Sequence, residues 1–169
     1  SNEFEAKLGV TVGNYGLTVL RGLVDGPIGD NLAGNLSFSK RDRDGYAYSN
    51  RSGQELDDAD NFSLRGKLLW DISDNTELLL GFDYSTDDNN GQCRNLTKLD
   101  NPAGDHNAGG VFVPVLKQIK ADTNSEDPRT CAMTIEQYAE RDVFGLSARL
   151  QMEFTNDLSL TSITAYREL

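Results

Sequence analysis

The stretch from Phe62 to Ser85 constrains the fold more than any other, because polar and apolar residues alternate along two arms joined by a tight turn at 73–75. Apolar residues occupy every second position from Phe62 to Ile72, and again from Leu78 to Tyr84. A repeat of two residues is typical of a strand with one apolar and one polar face. Each arm has roughly ten residues, about the length that a tilted strand needs to cross a bilayer. The pattern predicts a β-hairpin and indicates a membrane wall.

The bulk composition fits such a wall. Mean hydropathy is −0.52, and no stretch approaches the roughly 18 consecutive apolar residues of a spanning helix. A barrel keeps a low mean hydropathy because every second residue faces its lumen. A helical membrane protein is therefore excluded, whereas a β-barrel is not. The formal net charge of −11 argues against a nucleic-acid partner.

The same alternation recurs along the chain and predicts about seven amphipathic strands in an antiparallel meander. Their expected ranges are 3–13, 17–26, 32–43, 62–73, 76–85, 143–155 and 158–169. The orientation of the seventh strand stays open, because its apolar residues do not favour one face. Even the smallest spanning barrels use about eight strands, so we expect an all-β, open, curved sheet that is part of a transmembrane barrel.

The connections between these strands are unequal in length. Turns near Gly29, Asp74 and Asn156 are very short, whereas 44–61 and 86–142 are long, polar segments. Alternate connections of an antiparallel sheet lie at opposite ends, so this pattern places the long segments on one side. Short turns on one side and long loops on the other are typical of outer-membrane barrels, and we expect both long segments to be exterior loops.

Three pieces of the sequence resemble the barrel domain of TonB-dependent outer-membrane receptors. They are Leu8–Tyr46, with its GNYG turn, its GP turn and its RDRDGY end, then Arg65–Ser85, and Phe144–Arg167. The resemblance identifies the chain as the first seven strands after the plug domain. It covers nearly all of the chain apart from the segment 86–142.

This resemblance implies a function and a set of partners. The family forms barrels of about 22 strands with a plugged lumen, and takes up a scarce nutrient such as a siderophore–iron complex, haem, cobalamin or a glycan. The implied location is the bacterial outer membrane. The implied partners are outer-membrane lipid, the plug domain, an inner-membrane energy-coupling complex reached through an N-terminal part, and a small nutrient. The N-terminal residues SNEFEAKLG have no features of an export signal, so we expect that a signal was removed or that the chain begins inside a longer protein.

The predicted inner face carries charged residues that could contact a substrate or the plug. They are Lys7, Arg21, Arg65, Lys67, Asp71, Asp83, Arg149 and Glu153. The simpler interpretation is that they are solvated or pair across strands, where such pairs contribute little free energy. We therefore assign none of them to a site.

Other candidate sites are weaker. Asp57, Asp58 and Asp60 suggest calcium, but they lack the glycine and the distal glutamate of a calcium loop. His106 is the only histidine, so a zinc site or a nucleophile triad has no support. The acceptor patterns at Asn35, Asn61 and Asn95 are interpreted as chance matches. The sequence thus predicts no enzyme activity, no metal and no cofactor.

The two cysteines, Cys93 and Cys131, both lie in the second long segment. An even number of cysteines in an exported chain favours a disulfide. We predict a Cys93–Cys131 bond that closes this loop on the exterior side of the membrane.

Two other architectures fit the alternation. A soluble β-sandwich with a binding or adhesive role would pack its apolar faces against each other. A passive porin-like barrel would differ mainly in lacking a plug. The placement of Tyr15, Tyr84, Phe144 and Tyr166 near predicted strand ends favours a membrane barrel, because such barrels carry aromatic girdles there.

Overall fold

The computed structural model describes residues 3–94, 127–154 and 158–169, and within these ranges the chain is all-β, without a helix. The chain divides into two compact units. The first contains residues 1–43, 60–88 and 140–169, and the second contains 44–59 and 89–139. The strands are β1 (Glu5–Val12), β2 (Thr18–Gly29), β3 (Leu32–Arg43), β4 (Ala47–Ser49), β5 (Glu55–Leu56), β6 (Ala59–Ser73), β7 (Thr76–Asn90), β8 (Thr130–Cys131), β9 (Tyr138–Phe154) and β10 (Leu158–Glu168).

The first unit is built on one seven-stranded sheet in the order β1-β2-β3-β6-β7-β9-β10. The strand pairs β1 with β2, β2 with β3, β6 with β7, and β9 with β10 are all antiparallel. The sheet is open, with β1 and β10 as its edges. The predicted meander of seven strands is therefore confirmed.

Three of the strands extend into the segments that the alternation predicts to be long loops. β6 begins at Ala59, β7 continues to Asn90, and β9 begins at Tyr138, so the predicted loop boundaries at 61, 86 and 142 are wrong. Asn61 pairs with Asp87 in register, and the side-chain amide of Asn61 donates to the Asp87 carboxylate over 2.7 Å. Backbone pairing continues where both faces of the sheet are polar, and a hydrophobic pattern cannot detect it.

Two of the three predicted short turns, near Gly29 and Asp74, match their predicted places, and the third, near Asn156, lies outside the described ranges. Gly29 pairs with Leu32 and Ser73 with Thr76, which leaves two-residue connections at 30–31 and 74–75. The expectation that β2 ends before Pro27 is wrong, because Pro27 pairs with Ala33 and the register shifts just after it. β1 pairs with β2 only as far as Asp25, so Pro27 lies beside a bulge at a local edge, where proline is tolerated.

The GNYG turn joins β1 to β2 through two consecutive residues with positive φ. Tyr15 has φ of 60° and Gly16 has φ of 64°, and the Leu17 amide donates to the Asn14 carbonyl over 3.3 Å. Two central residues with positive φ form the hairpin turn whose twist matches that of its flanking strands. Tyr15 thus takes a positive φ, which is uncommon for a residue other than glycine.

The second unit is held by a small sheet in the order β5-β4-β8. β4 is antiparallel to β5 and parallel to β8. Ala47, Leu56 and Cys131 are buried in its centre, with Cys93 and Met133 packed against them. Buried Ser49 donates its hydroxyl to the Met133 carbonyl over 2.9 Å and accepts from the Met133 amide over 3.2 Å. Part of what the sequence describes as loop is thus a small unit with its own core.

Candidate lipid-facing surface

The register places apolar side chains of neighbouring strands on the same face of the seven-stranded sheet. Directly opposed residues of an antiparallel pair share a face, and Leu64 lies opposite Tyr84, Leu68 opposite Leu80, and Trp70 opposite Leu78. At the other end of the sheet, Met152 lies opposite Leu160, and Leu146 opposite Tyr166. The orientation of the seventh strand, which the sequence left open, is set by these last pairs. We call this surface the apolar face and the opposite one the polar face.

The apolar face is uncovered in the first unit. Trp70 is 43% exposed, Leu80 is 38% exposed and Leu146 is 48% exposed. Monomeric soluble proteins rarely expose contiguous apolar patches of more than a few hundred Å². A shallow hollow of about 770 Å³ crosses this face, lined by residues of β2, β3, β6, β7, β9 and β10, among them Leu36, Leu68, Leu80 and Leu146. The first unit thus leaves a large apolar surface exposed.

Two glycines on the apolar face are covered by aromatic rings. Gly22 lies opposite Phe38 and Gly66 opposite Phe82, and a Cβ on either glycine would collide with the ring. An aromatic side chain laid over a cross-strand glycine shields the backbone there and pins the register. These pairs explain why glycine occurs in strands whose other apolar-face residues are large.

Aromatic residues mark the end of the apolar face toward the long connections. The Phe62 and Tyr84 rings are in contact, with centroids 6.5 Å apart, and Tyr84 and Phe144 line the same surface hollow. Just beyond them on this face, Lys40 forms an ion pair with Asp60. The face thus changes from apolar to charged across a belt of aromatic rings, as at a membrane interface.

The height of the apolar face can be estimated on β9. Its apolar-face residues run from Phe144 to Phe154 without interruption by a charged residue. Ten steps of about 3.3 Å give about 33 Å along the strand. A strand tilted by about 40° would therefore rise about 25 Å, which matches the apolar band of outer-membrane barrels.

No helix among the described residues is long and apolar enough to span a membrane.

Comparison of the chain with known protein families, curated proteins and solved structures finds no match.

The polar face carries ion pairs, and two of them include a charge that the sequence placed there, Asp83 and Lys7. Arg167 on β10 contacts Asp83 on β7 over 2.7 Å, and Arg141 pairs with Asp87. Lys7 pairs with Glu5 over 2.7 Å. The expected pairing across strands thus holds for Asp83, whereas Lys7 pairs with Glu5 within its own strand. Arg149 instead donates to the Gln151 side chain over 2.6 Å.

The polar face also contains two hollows of opposite charge. One, of about 620 Å³, is lined by Lys7, Arg21 and Arg65 together with Ser37, Ser39, Ser63 and Leu23; we call it the basic hollow. The other, of about 600 Å³, lies at the short turns and is lined by Asp30, Asp71, Asp74, Glu77 and Glu153; we call it the acidic hollow. Sequence reasoning placed most of these side chains on the correct face but did not group them.

The remaining predicted site residues have structural roles or lie outside the described ranges. Asp58 accepts from the Asn90 amide over 2.7 Å, and Asp57 accepts from the Cys93 amide over 3.1 Å. Asp60 pairs with Lys40. Within the described ranges no group of three acidic, histidine or cysteine side chains is arranged to hold a metal ion. Neither His106 nor Asn95 lies within the described residues.

Cys93 and Cys131 come together in the second unit. Their Cα atoms are 5.7 Å apart and their sulfur atoms are at bonding distance. The Cα separation is the most common one for protein disulfides. This is the geometry that the predicted bond requires, and Cys131 is fully buried there.

Proposed function

We propose that this chain is a wall segment of a TonB-dependent outer-membrane receptor, with its apolar face against lipid and its polar face toward the lumen. The observation that carries the proposal is the register, which gathers large apolar side chains from all seven strands onto one uncovered face. An uncovered face favours lipid over the interior of a sandwich, whose inner faces would be buried.

The dimensions and the connections support the same proposal. An apolar band about 25 Å high, ended by aromatic rings, suits a bilayer core. The two-residue turns at 30–31 and 74–75 lie at one end of the sheet, and the residues of the second unit come from the connections of the other end. This is the asymmetry of periplasmic turns and extracellular loops.

The assignment to TonB-dependent receptors rests on the sequence resemblance of the GNYG, GP and RDRDGY segments. On this proposal the polar face meets the plug domain, and energy comes from the inner-membrane complex through the N-terminal part of the longer receptor. The cargo is a small nutrient taken up from outside the cell.

The single tryptophan of the chain offers a direct test. Trp70 lies on the apolar face and is 43% exposed. The chain would be inserted into vesicles of phosphatidylcholine with brominated acyl chains, after circular dichroism has verified its β content. Because bromine quenches tryptophan by contact, we expect Trp70 fluorescence to fall strongly relative to unbrominated vesicles.

A matched control moves the tryptophan by one residue. In the double variant Trp70→Phe, Asp71→Trp the indole lies on the opposite face, so we expect little quenching. Equal quenching of the two proteins would show that the proposed sidedness is wrong. A chain that stays monomeric in plain buffer, with Trp70 unquenched, would favour a soluble sandwich instead.

A further inference from the structure

The basic hollow is the most distinctive feature of the polar face that the proposed function does not use. Three cationic residues and three serines line it beside the apolar Leu8, Leu23 and Phe38, and none of the described residues that line it is acidic. Most of its exposed lining is apolar, so the charged groups act at its margin. The chain as a whole has a formal net charge of −11. A concentration of positive charge in so acidic a chain is therefore a local feature and not a reflection of composition.

Two of the cations have no partner on the sheet. Lys7 is engaged with Glu5, but within the described ranges no hydrogen bond or ion pair occupies the guanidinium of Arg21 or Arg65. By contrast Arg167 and Arg141, on the same face, each have a carboxylate partner. Arg21 and Arg65 are therefore the two cations of the basic hollow that are available to a ligand.

The register brings these groups together from four strands. Arg21 lies opposite Ser39, and Leu23 lies opposite both Lys7 and Ser37. The Ser37 hydroxyl donates to the Arg65 carbonyl over 3.4 Å, so β3 and β6 are adjacent at this row. Leu23 therefore lies in the same row as Lys7 and Ser37, between them on the sheet.

We propose that the basic hollow binds a small polyanion, a molecule carrying several carboxylate or phosphate groups. Guanidinium groups bind carboxylate and phosphate oxygens in a bidentate manner, and such charge-assisted hydrogen bonds are stronger than neutral ones. A volume of about 620 Å³ is within the range of small-molecule sites. As a statement about the nutrient class this inference rests on the proposed function, whereas the binding site itself depends only on the polar face.

The acidic hollow provides an internal contrast. Asp71 lies six positions after Arg65 on β6, which is about 20 Å along the strand. A polyanion is attracted by the first hollow and repelled by the second. We therefore expect binding at one defined position on the polar face and not along its whole length.

The test is calorimetric titration of the 169-residue chain, folded in detergent micelles, with citrate at low ionic strength. Triethyl citrate, which has the same skeleton without charge, is the matched neutral probe. We expect citrate to bind and its ester not to bind, and we expect added salt to weaken the binding. Methyl NMR should show a shift of Leu23 on addition of citrate and none of Leu36, which lies on the apolar face.

Three variants locate the site. Arg21→Gln and Arg65→Gln should each weaken citrate binding about fivefold or more. Arg149→Gln makes the same change of charge on the same face but outside the basic hollow, and it should change the affinity less than about twofold. An equal loss in all three variants, or equal binding of the ester, would overturn the proposal.

Two further outcomes are distinguishable. Tighter binding of a hexaglutamate peptide than of citrate would replace the small molecule with an acidic polypeptide segment as the occupant. Absence of citrate binding together with strong quenching of Trp70 by brominated lipid would refute this inference and leave the proposed function intact.

Discussion

Arg167 on β10 reaches Asp83 on β7 across the intervening strand β9, at the point where β9 carries Gly145. The Nη2 and Oδ2 atoms are 2.7 Å apart. A Cβ on Gly145 would lie 2.7 Å from Asp83 Oδ1. Glycine at this position therefore leaves the space in which two side chains from non-adjacent strands meet.

We predict that Gly145→Ala breaks this ion pair by forcing Asp83 to rotate. Both side chains are about half exposed, so the coupling free energy should be only about 0.2–1 kcal/mol. A double-mutant cycle of Asp83→Asn and Arg167→Gln, measured by urea unfolding in micelles, should give this coupling when Gly145 is kept and none in the Gly145→Ala background. The same coupling in both backgrounds would contradict the geometry. Gly9→Ala, whose Cβ meets nothing within 4 Å, is the control for the glycine substitution itself.

A second prediction concerns the covered glycine on the apolar face. Gly66→Ala places a methyl group in the Phe82 ring and should lower the free energy of unfolding by about 1 kcal/mol or more, the usual cost of overpacking. Phe82→Leu in the same chain should restore part of the loss, because the ring that collides is gone. If the second substitution adds to the loss instead, the ring does not cover Gly66.

Sidedness can be tested with arginine on each face. Leu80→Arg or Leu68→Arg would place a charge in the middle of the apolar face, at a cost of about 2–4 kcal/mol if that face meets lipid. Ser147→Arg places the same charge on the polar face, where Ser147 lies beside Gly81. We expect the first two substitutions to reduce the membrane yield of the protein strongly, and Ser147→Arg or Lys67→Ala to reduce it little. Similar yields for both faces would show that the assignment of the faces is wrong.

The disulfide is the fourth prediction. A bond across a sequence separation of 38 residues should stabilise the second unit by about 3–4 kcal/mol in the chain-entropy model. Peptide mapping without reduction should recover Cys93 and Cys131 in one linked peptide. Alkylation of both thiols without prior reduction would disprove the bond. If the bond is present but the double Cys→Ser variant keeps the stability of the second unit, the bond is not its main constraint.

The sequence predicted the strands of the seven-stranded sheet because each has one apolar and one polar face. The hairpin from Phe62 to Ser85 has the strongest alternation, and its turn and the facing of its residues are confirmed. The predicted strand ends are wrong where both faces of a strand are polar. The residues TDDNN at 86–90 are polar on both faces, yet they continue the strand that pairs with β6 through the backbone, and no hydrophobic pattern records such pairing.

The sequence did not predict the second unit or the basic hollow, and the reason is different. β4, β5 and β8 have two or three residues each, too few to show a period, and Tyr48 pairs with Thr130 far along the chain. Arg21 and Arg65 were placed on the inner face, but their grouping depends on the register between β3 and β6. That register is set across a long connection, and neither strand specifies it alone.

The polar ends of β6, β7 and β9 can accept many different side chains. Between Tyr84 and Asn90 the sheet is held by its backbone ladder and by polar pairs such as Asn61 with Asp87. Main-chain hydrogen bonds are available to every residue type except proline. The part of the sheet beyond Tyr84 can therefore exchange its side chains widely at small cost in stability, so these strand ends can diversify while the apolar face keeps its composition.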